Sequence, residues 1–263
     1  MFDILRTRLQ QQHRTLSYPD GPAPTLPDRF LGRPLVPDQV CPTLCADCVT
    51  ACPTDAITLS DQDGQTRVVI DLGHCLFCGE CMRACPSGTL QWGRDHQLAG
   101  TRRDDLKVRH GTPSCLVRCD DRIRHVFGRS LKLRQVSAGG CNACEADANV
   151  LTTLAWDMGR FGIDFVASPR HADGLLVTGP VTENMREALL KTYDAVPDPK
   201  IVIATGTCAI SGGIFAGHPE VSNGVDGLIP VDLYVPGCPP HPLTLLDALL
   251  RLLGQIKTSQ RLY

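Results

Sequence analysis

Two consecutive cysteine blocks restrict the fold of this 263-residue chain more than any other feature. Each block has four cysteines, ends in Cys-Pro and is followed by a short strand-like run. The blocks are CPTLCADCVTACP, with Cys41, Cys45, Cys48 and Cys52, and CLFCGECMRACP, with Cys75, Cys78, Cys81 and Cys85. The whole chain has 14 cysteines, and so many thiols need a chemical explanation, either as disulfides or as metal ligands.

Composition and the N-terminal segment favour metal ligands. The segment MFDILRTRLQQQHR lacks the apolar core of a signal peptide, and no apolar run reaches the roughly eighteen residues of a transmembrane helix. We therefore predict a cytoplasmic protein, and disulfides are disfavoured in that compartment. The net charge of −2 gives no indication of a nucleic-acid partner.

The second block has the spacing C-x2-C-x2-C-x3-C-P, which is that of two-cluster bacterial ferredoxins. In such a pair of blocks, the fourth cysteine of each block binds the cluster held by the other block. The predicted ligand sets are Cys41, Cys45, Cys48 and Cys85 for one 4Fe–4S cluster, and Cys75, Cys78, Cys81 and Cys52 for the other. The first block has the spacing C-x3-C-x2-C-x3-C-P, one residue longer, so Pro42 stands where its first cysteine would fall. This departure affects the ligand assignment of Cys41 alone. A zinc ribbon would instead show two separated C-x2-C pairs.

From about residue 130 the sequence alternates between short apolar strands and amphipathic helices. Strands are predicted at LKLRQVS, IDFVAS, GLLVTG, KIVIATG and VDLYVPG, and helices at EADANVLTTLAWDMGRF, TENMREALLKTYDAV and PLTLLDALLRLLGQI. In the first helix we expect the inward residues to be Val150, Leu151, Leu154, Ala155 and Met158. This alternation is typical of a mainly parallel α/β sheet covered on both faces.

A third set of cysteines follows the strands of this predicted sheet. Cys141 and Cys144 follow the first strand in GGCNACE, Cys208 lies in TGTCAISGG, and Cys238 lies in PGCPP. Because the carboxyl ends of parallel strands share one edge, where such sheets bind ligands, we expect these four thiols to meet. Neighbouring glycines would let the backbone approach a bulky group. The sequence thus predicts a third 4Fe–4S cluster.

The predicted organisation has four parts. Residues 1–40 form an extended, proline-rich arm, and its first residues place Phe2, Leu5 and Leu9 on one helical face. An α+β, ferredoxin-like domain with two clusters occupies residues 41–100. A basic linker spans residues 101–129, and the α/β domain spans residues 130–263.

Both halves resemble known subunits. The motifs GRSLKLRQVSAGGCNACEAD, LLVTGPVT, ATGTCAISGG and YVPGCPPHP resemble the small iron–sulfur subunit (20 kDa subunit family) shared by respiratory complex I and membrane-bound NiFe hydrogenases. The N-terminal part, through SYPDGP, FLGRP and the cysteine blocks, resembles the ferredoxin-like subunit of formate hydrogenlyase-type complexes. The resemblance implies a flavodoxin-like second domain, whose cluster is the one closest to an active site in a separate large subunit.

The resemblance also implies a function and partners. We expect an electron-transfer subunit of a membrane-associated NiFe hydrogenase or formate hydrogenlyase-like complex, since complex I subunits have two adjacent cysteines where this chain has C-N-A-C. The alternatives are a complex I-like quinone oxidoreductase and a zinc-stabilised scaffold without a redox role. Expected partners are a large subunit, membrane-embedded antiporter-like subunits and an upstream electron donor or acceptor, but no nucleic acid. The protein would be peripheral on the inner face of the cytoplasmic membrane.

Other polar residues have two interpretations each. Glu145 would complement the positive end of a helix or, by the resemblance, relay protons to the large subunit. Cys115 and Cys119 are interpreted as free thiols in preference to zinc ligands. His241 is predicted to cap a helix or donate hydrogen bonds. Signatures for NAD and ATP are absent, and nickel is expected only in the partner.

Overall fold

A computed structural model describes residues 2–12, 14–36, 45–62, 65–88, 90–113, 117–118 and 121–256. Three of the cysteines singled out by the sequence, Cys41, Cys115 and Cys119, lie outside these residues. The predictions made for them therefore stay predictions.

The N-terminal half contains short helices and antiparallel strands. Its elements are α1 (Phe2–Gln11), β1 (Pro34–Leu35), α2 (Asp47–Thr50), β2 (Ile57–Gln62), β3 (Gln65–Asp71), α3 (Glu80–Ala84), β4 (Gln91–Trp92), β5 (Lys107–Val108) and α4 (Asp121–Phe127). β2, β3 and β5 form one antiparallel sheet, and β1 pairs with β4. The third strand of the larger sheet comes from the segment that the sequence assigns to a linker.

The N-terminal arm begins with an exposed helix and continues along the second half of the chain. α1 has no buried residue, and Phe2 is 87% exposed. Beyond α1, the Leu16 N–H donates to the Ala155 carbonyl at 2.8 Å. The Tyr18 side chain is buried, and its hydroxyl donates to Asp247. The arm is therefore fixed by contacts distant in sequence.

The C-terminal half is a five-stranded parallel sheet with helices. Its elements are β6 (Leu131–Ser137), α5 (Ala143–Val150), β7 (Ile163–Phe165), β8 (Gly174–Thr178), α6 (Glu183–Ala195), β9 (Ile201–Thr205), α7 (Thr207–Ser211), β10 (Leu233–Val235) and α8 (Pro242–Leu252). The strand order is β10-β9-β8-β6-β7, and every pair is parallel. The predicted parallel sheet is confirmed.

The first predicted helix of this half is shorter than expected. α5 ends at Val150, and the expected inward residue Leu154 is 68% exposed. Ala155, the next residue expected to face inward, is exposed too. The Thr152 and Thr153 hydroxyls donate to carbonyls within the last turn, which competes with a continuing helix. Leu151 and Met158 are nevertheless buried, as predicted.

Two hydrophobic cores lie on the two faces of the parallel sheet. In β8, Leu175 and Val177 pack into one core, while Leu176 packs into the other with α8, as alternation along a strand requires. The first core also contains Ile70 and Leu106 of the N-terminal half. Both halves of the chain are therefore joined through one continuous apolar core. Within the described ranges, no helix is both long and apolar enough to traverse a bilayer.

Candidate iron–sulfur sites

The third cysteine set lies at the carboxyl edge of the parallel sheet. Cys141 and Cys144 follow β6, with Cys144 in the first turn of α5. Cys208 lies in α7, directly after β9, and Cys238 follows β10. The chain runs from β6 outward to β7 and then returns to β8 on the other side, so the strand order reverses at β6. Open α/β sheets bind ligands at the carboxyl ends of strands beside such a reversal.

The four thiols of this set influence one another electrostatically. The pKa of Cys208 is raised to about 11, chiefly by burial and then by the charges of Cys238 and Cys141. The pKa of Cys144 is also raised, first by burial and then by Glu145 and the other three thiols. Four thiolates this close need positive charge between them, and iron supplies it in a cluster because thiolates are its ligands. The donor set therefore fits a 4Fe–4S cluster.

Glycines lie beside these thiols at positions where a side chain would crowd the sulfurs. A Cβ added to Gly206, which has a φ of 88°, would lie 2.5 Å from the Cys144 sulfur. A Cβ added to Gly213 would lie 3.0 Å from the Cys208 sulfur. Both glycines have positive φ, which favours glycine. They keep open the space around the sulfurs that a bulky inorganic group requires.

The second cysteine block forms another convergent set with Cys52. The pKa of Cys75 is raised to about 12: burial has the largest effect, the Phe77 N–H lowers the pKa, and the charges of Cys81, Cys52 and Cys78 raise it. Backbone N–H groups point at two of the sulfurs, Ala56 at Cys52 (3.2 Å) and Phe77 at Cys75 (3.3 Å). A small apolar cavity lies between these cysteines and Ile57, Ile70 and Trp92. The structure thus brings together the four residues of this predicted set.

The first block is described only in part. Cys48 is buried in α2, and Cys45 is partly exposed. α2 packs against α3, whose C-cap is Cys85. Cys48 belongs to the first hydrophobic core and Cys85 packs against it, so the exchange of a cysteine between the two blocks is compatible with this packing.

Among the described residues, no three His, Cys, Asp or Glu side chains are arranged to hold a single metal ion. The ligands of a four-iron cluster each bind a different iron atom, so they are spaced more widely than the ligands of one ion.

Glu145 occupies a defined place beside the third set. It is 5% exposed and accepts hydrogen bonds from the Ser137 hydroxyl at 2.5 Å and the Thr178 hydroxyl at 2.6 Å. It lies in the first turn of α5, where a carboxylate complements the helix dipole. The sequence alone does not identify Ser137 or Thr178 as partners of Glu145. They lie at the ends of two different strands, and no local sequence pattern shows that these strand ends meet α5.

Two further hydroxyl groups, not predicted from the sequence, lie in α7. Thr207 donates to the Cys75 carbonyl at 2.7 Å, and Ser211 donates to the Gly73 carbonyl at 2.8 Å. Their i, i+4 spacing in GTCAISGG places them on one helix face, which is the only signal that the sequence offers.

His241, in contrast, caps α8 as predicted, since its Nδ1 accepts from the Leu243 N–H at 3.1 Å.

Comparison with known proteins agrees with this geometry. A family model described as "NADH ubiquinone oxidoreductase, 20 Kd subunit" matches residues 141–252. The "Probable membrane-bound hydrogenase subunit mbhJ" of Pyrococcus furiosus is 44% identical over 130 residues, which cover 49% of this chain and 78% of that protein. The chain belongs to the 20 kDa subunit family. This confirms the resemblance found in its motifs.

Other matches extend the comparison to both halves of this family member. Models of 4Fe-4S dicluster domains match residues 39–89 and 67–121. Formate hydrogenlyase subunit 7 of Escherichia coli is 46% identical over 129 residues, covering 49% of this chain and 51% of that protein. An NADH-quinone oxidoreductase subunit of Phocaeicola vulgatus is 42% identical over 157 residues, covering 59% of this chain and 77% of that protein. This 20 kDa subunit family member is an iron–sulfur, electron-transfer subunit of an oxidoreductase, with ferredoxin-type 4Fe–4S domains in its N-terminal half.

Proposed function

We propose that this protein conducts electrons within a membrane-associated NiFe hydrogenase or formate hydrogenlyase-like complex. The proposal is based on the arrangement of the three cysteine sets. Two lie around α2 and α3, and the third lies at the carboxyl edge of the parallel sheet. Electrons would pass through the two ferredoxin clusters to the cluster at the sheet edge, and from there to or from a large-subunit active site.

The proposal includes three 4Fe–4S clusters and their ligands. Cys41, Cys45, Cys48 and Cys85 hold the first, Cys52, Cys75, Cys78 and Cys81 the second, and Cys141, Cys144, Cys208 and Cys238 the third. The third lies in a flavodoxin-like domain, and the strand order supports this, since β7-β6-β8-β9-β10 is the order 2-1-3-4-5. The proposed domain bounds are 1–40, 41–100, 101–129 and 130–263.

When bound, each cluster takes up and releases one electron. The contribution of the chain is to hold the clusters, shield them from water and set their potentials. The N–H groups of Ala56 and Phe77 point at ligand sulfurs, and such hydrogen bonds favour the reduced state by offsetting negative charge. Burial of Cys75 and Cys81 keeps water away from the second cluster.

Glu145 is proposed to hold or relay a proton beside the third cluster. Its partners, Ser137 and Thr178, carry hydroxyls that can both donate and accept hydrogen bonds. The carboxylate therefore has a fixed position and neighbours that could exchange a proton with it. The same position also complements the N-terminus of α5.

The spacing of Cys141 and Cys144 favours the hydrogenase branch over quinone reduction. Of the two residues between them, Asn142 is the N-cap of α5 and has a φ of 69°, a conformation that asparagine tolerates well, and Ala143 is the first residue of the helix. Complex I-type subunits are expected to have adjacent cysteines instead. Quinone reduction in a complex I-like machine is thus the second candidate, supported by the match to the NADH-quinone oxidoreductase subunit of Phocaeicola vulgatus.

The proposed partners are a NiFe-type large subunit, membrane-embedded antiporter-like subunits and an upstream electron carrier. Cys141 and Cys238 are exposed at the sheet edge, which supports docking of the large subunit there. The protein would lie on the cytoplasmic face of the membrane through these partners.

Anaerobic purification of the chain with its native complex tests this function. We expect about twelve irons per chain, in equal amount to acid-labile sulfide, and hydrogen-dependent reduction of a viologen dye. Zinc in place of iron would overturn the proposal. Iron-loaded complex that reduces quinone but never reacts with hydrogen would favour the second candidate.

A further inference from the structure

α7 lies between the second and third cysteine sets and touches both. It begins directly after β9 and carries Cys208 as its second residue. Thr207 precedes Cys208, and its hydroxyl donates to the carbonyl of Cys75, a residue of the second set, at 2.7 Å. A single five-residue helix therefore contains one proposed ligand and contacts the backbone of another.

Thr207 also contacts the loop that carries Cys238. Its N–H donates to the Gly237 carbonyl at 2.9 Å, and its hydroxyl lies 3.1 Å from the same oxygen. One residue thus links the backbone next to Cys208, the backbone of Cys75 and the residue before Cys238. Three loops that carry proposed ligands meet at this side chain.

Ser211 makes a second connection one helical turn later. Its hydroxyl donates to the Gly73 carbonyl at 2.8 Å, two residues before Cys75. Thr207 is 1% exposed and Ser211 is 9% exposed, so water does not compete for these carbonyls. Two contacts along one helix face fix the orientation of the Cys75 loop as well as its distance.

Other contacts also join the two halves of the chain near α7. Gly100 and Tyr234 exchange two backbone hydrogen bonds between the halves of the chain, at 3.1 and 2.9 Å. Phe77, which lies in the same loop two residues after Cys75, lines the same cleft as Cys238. The loops of the two sets therefore adjoin each other, and α7 is the element between them.

We propose that Thr207 and Ser211 are positioning residues that set the separation and mutual orientation of the second and third clusters. This inference rests on the proposed function. The step that they serve is the transfer of one electron from the reduced cluster to the oxidised one, with no bond made or broken and no proton taken from α7. Such transfer depends steeply on the distance between clusters, so a fixed spacing is what the step requires.

The test uses the full chain in its native complex, reduced anaerobically with dithionite. Neighbouring reduced clusters couple magnetically, and the splitting of their electron paramagnetic resonance signals depends on their distance and orientation. We expect a Thr207→Val, Ser211→Ala double variant to retain its iron but to lose or narrow this splitting. Thr207→Ser, which keeps the hydroxyl, should restore the wild-type splitting when Ser211 is intact.

Thr205→Val is the matched control. Thr205 lies two residues before Thr207, is fully buried, and its hydroxyl has no hydrogen-bond partner within the described ranges. The same chemical change there should leave the splitting unchanged.

Two outcomes would overturn the positioning role. One is a double variant with full iron and unchanged splitting. The other is a double variant that loses iron while Thr205→Val keeps it. The two hydroxyls would then be needed for the clusters to stay bound, and not for the distance between them. Failure of the proposed function is distinguishable, since it would show as an absence of four-iron clusters in the wild-type chain.

Discussion

Burial controls the thiols at the edge of the parallel sheet. Their raised pKa values mean that Cys144 and Cys208 hold protons at neutral pH when no metal is bound. Loading a cluster must then release those protons, and iron must compensate for the buried negative charge. Each thiol of the set therefore depends on the others, and loss of one should remove the cluster as a whole.

Cys144→Ala tests this dependence. We expect iron to fall by about four of about twelve per chain, with the signals of the other two clusters retained. Iron analysis together with electron paramagnetic resonance measures both. Cys119→Ser, which changes a cysteine outside the three sets, should keep all the iron. A fully loaded Cys144→Ala protein would show that Cys144 is not a ligand.

Glu145→Gln tests the electrostatic role of the buried carboxylate. Its negative charge contributes to the raised pKa of both Cys144 and Cys208, so it also opposes addition of an electron nearby. Removing the charge should raise the reduction potential of the third cluster only. A redox titration followed by electron paramagnetic resonance measures the shift.

Glu183→Gln is the control for this change. Glu183 also lies in a first helical turn and also accepts from a serine hydroxyl, that of Ser222, but it is exposed and belongs to α6. Glu183→Gln should leave the reduction potential of every cluster unchanged. An equal shift in both variants would count against a specific role for Glu145.

At the scale of elements, the sequence predicts what depends on local pattern. The strands of the parallel sheet were predictable because each is a short apolar run, and the meeting of Cys141, Cys208 and Cys238 follows from their shared direction. The early end of α5 could not be predicted, because the pattern of apolar residues continues past Val150. The Thr152 and Thr153 hydroxyls compete with the helix there. The bond from Thr207 to Cys75 was also unpredictable, since no local pattern tells which surfaces of two modules meet.

The N-terminal arm is held by a buried polar contact with α8. The Tyr18 hydroxyl donates to Asp247, and Arg251 Nε donates to the same carboxylate at 2.8 Å. All three residues are at most 2% exposed. The part of the arm around Tyr18, which is neither helix nor strand, is therefore attached to α8 by one carboxylate that two donors share.

Tyr18→Phe should loosen this attachment. Asp247 would lose one donor while remaining buried, which costs about 1–3 kcal/mol. We expect a lower urea midpoint and faster proteolytic cleavage of the arm. Tyr193→Phe is the control, because the Tyr193 hydroxyl makes no hydrogen bond within the part of the chain that is described, and it should change neither quantity. Unchanged cleavage in Tyr18→Phe would mean that apolar packing alone holds the arm.

At the scale of the whole molecule, the two halves do not have separate cores. Leu106 of the N-terminal half belongs to the same buried cluster as Leu175 and Val177 of β8. Electron transfer between clusters in the two halves needs such a shared core, because independent motion of the halves would change the distance between their redox centres. The shared core and the α7 contacts thus serve the same requirement.

Leu106→Ala tests whether the halves are stabilised together. Leu106 is fully buried, and truncating such a leucine costs about 2–5 kcal/mol through lost burial and the cavity left behind. If the core is cooperative, amide hydrogen exchange should accelerate in β8 as well as in β3, although β8 belongs to the other half. Leu59→Ala, the same truncation at a β2 residue that is 36% exposed, should accelerate exchange much less in both strands. Faster exchange in β3 with β8 unaffected would mean that the halves open independently, and the distance between the second and third clusters would then depend on α7 and the Gly100–Tyr234 contact alone.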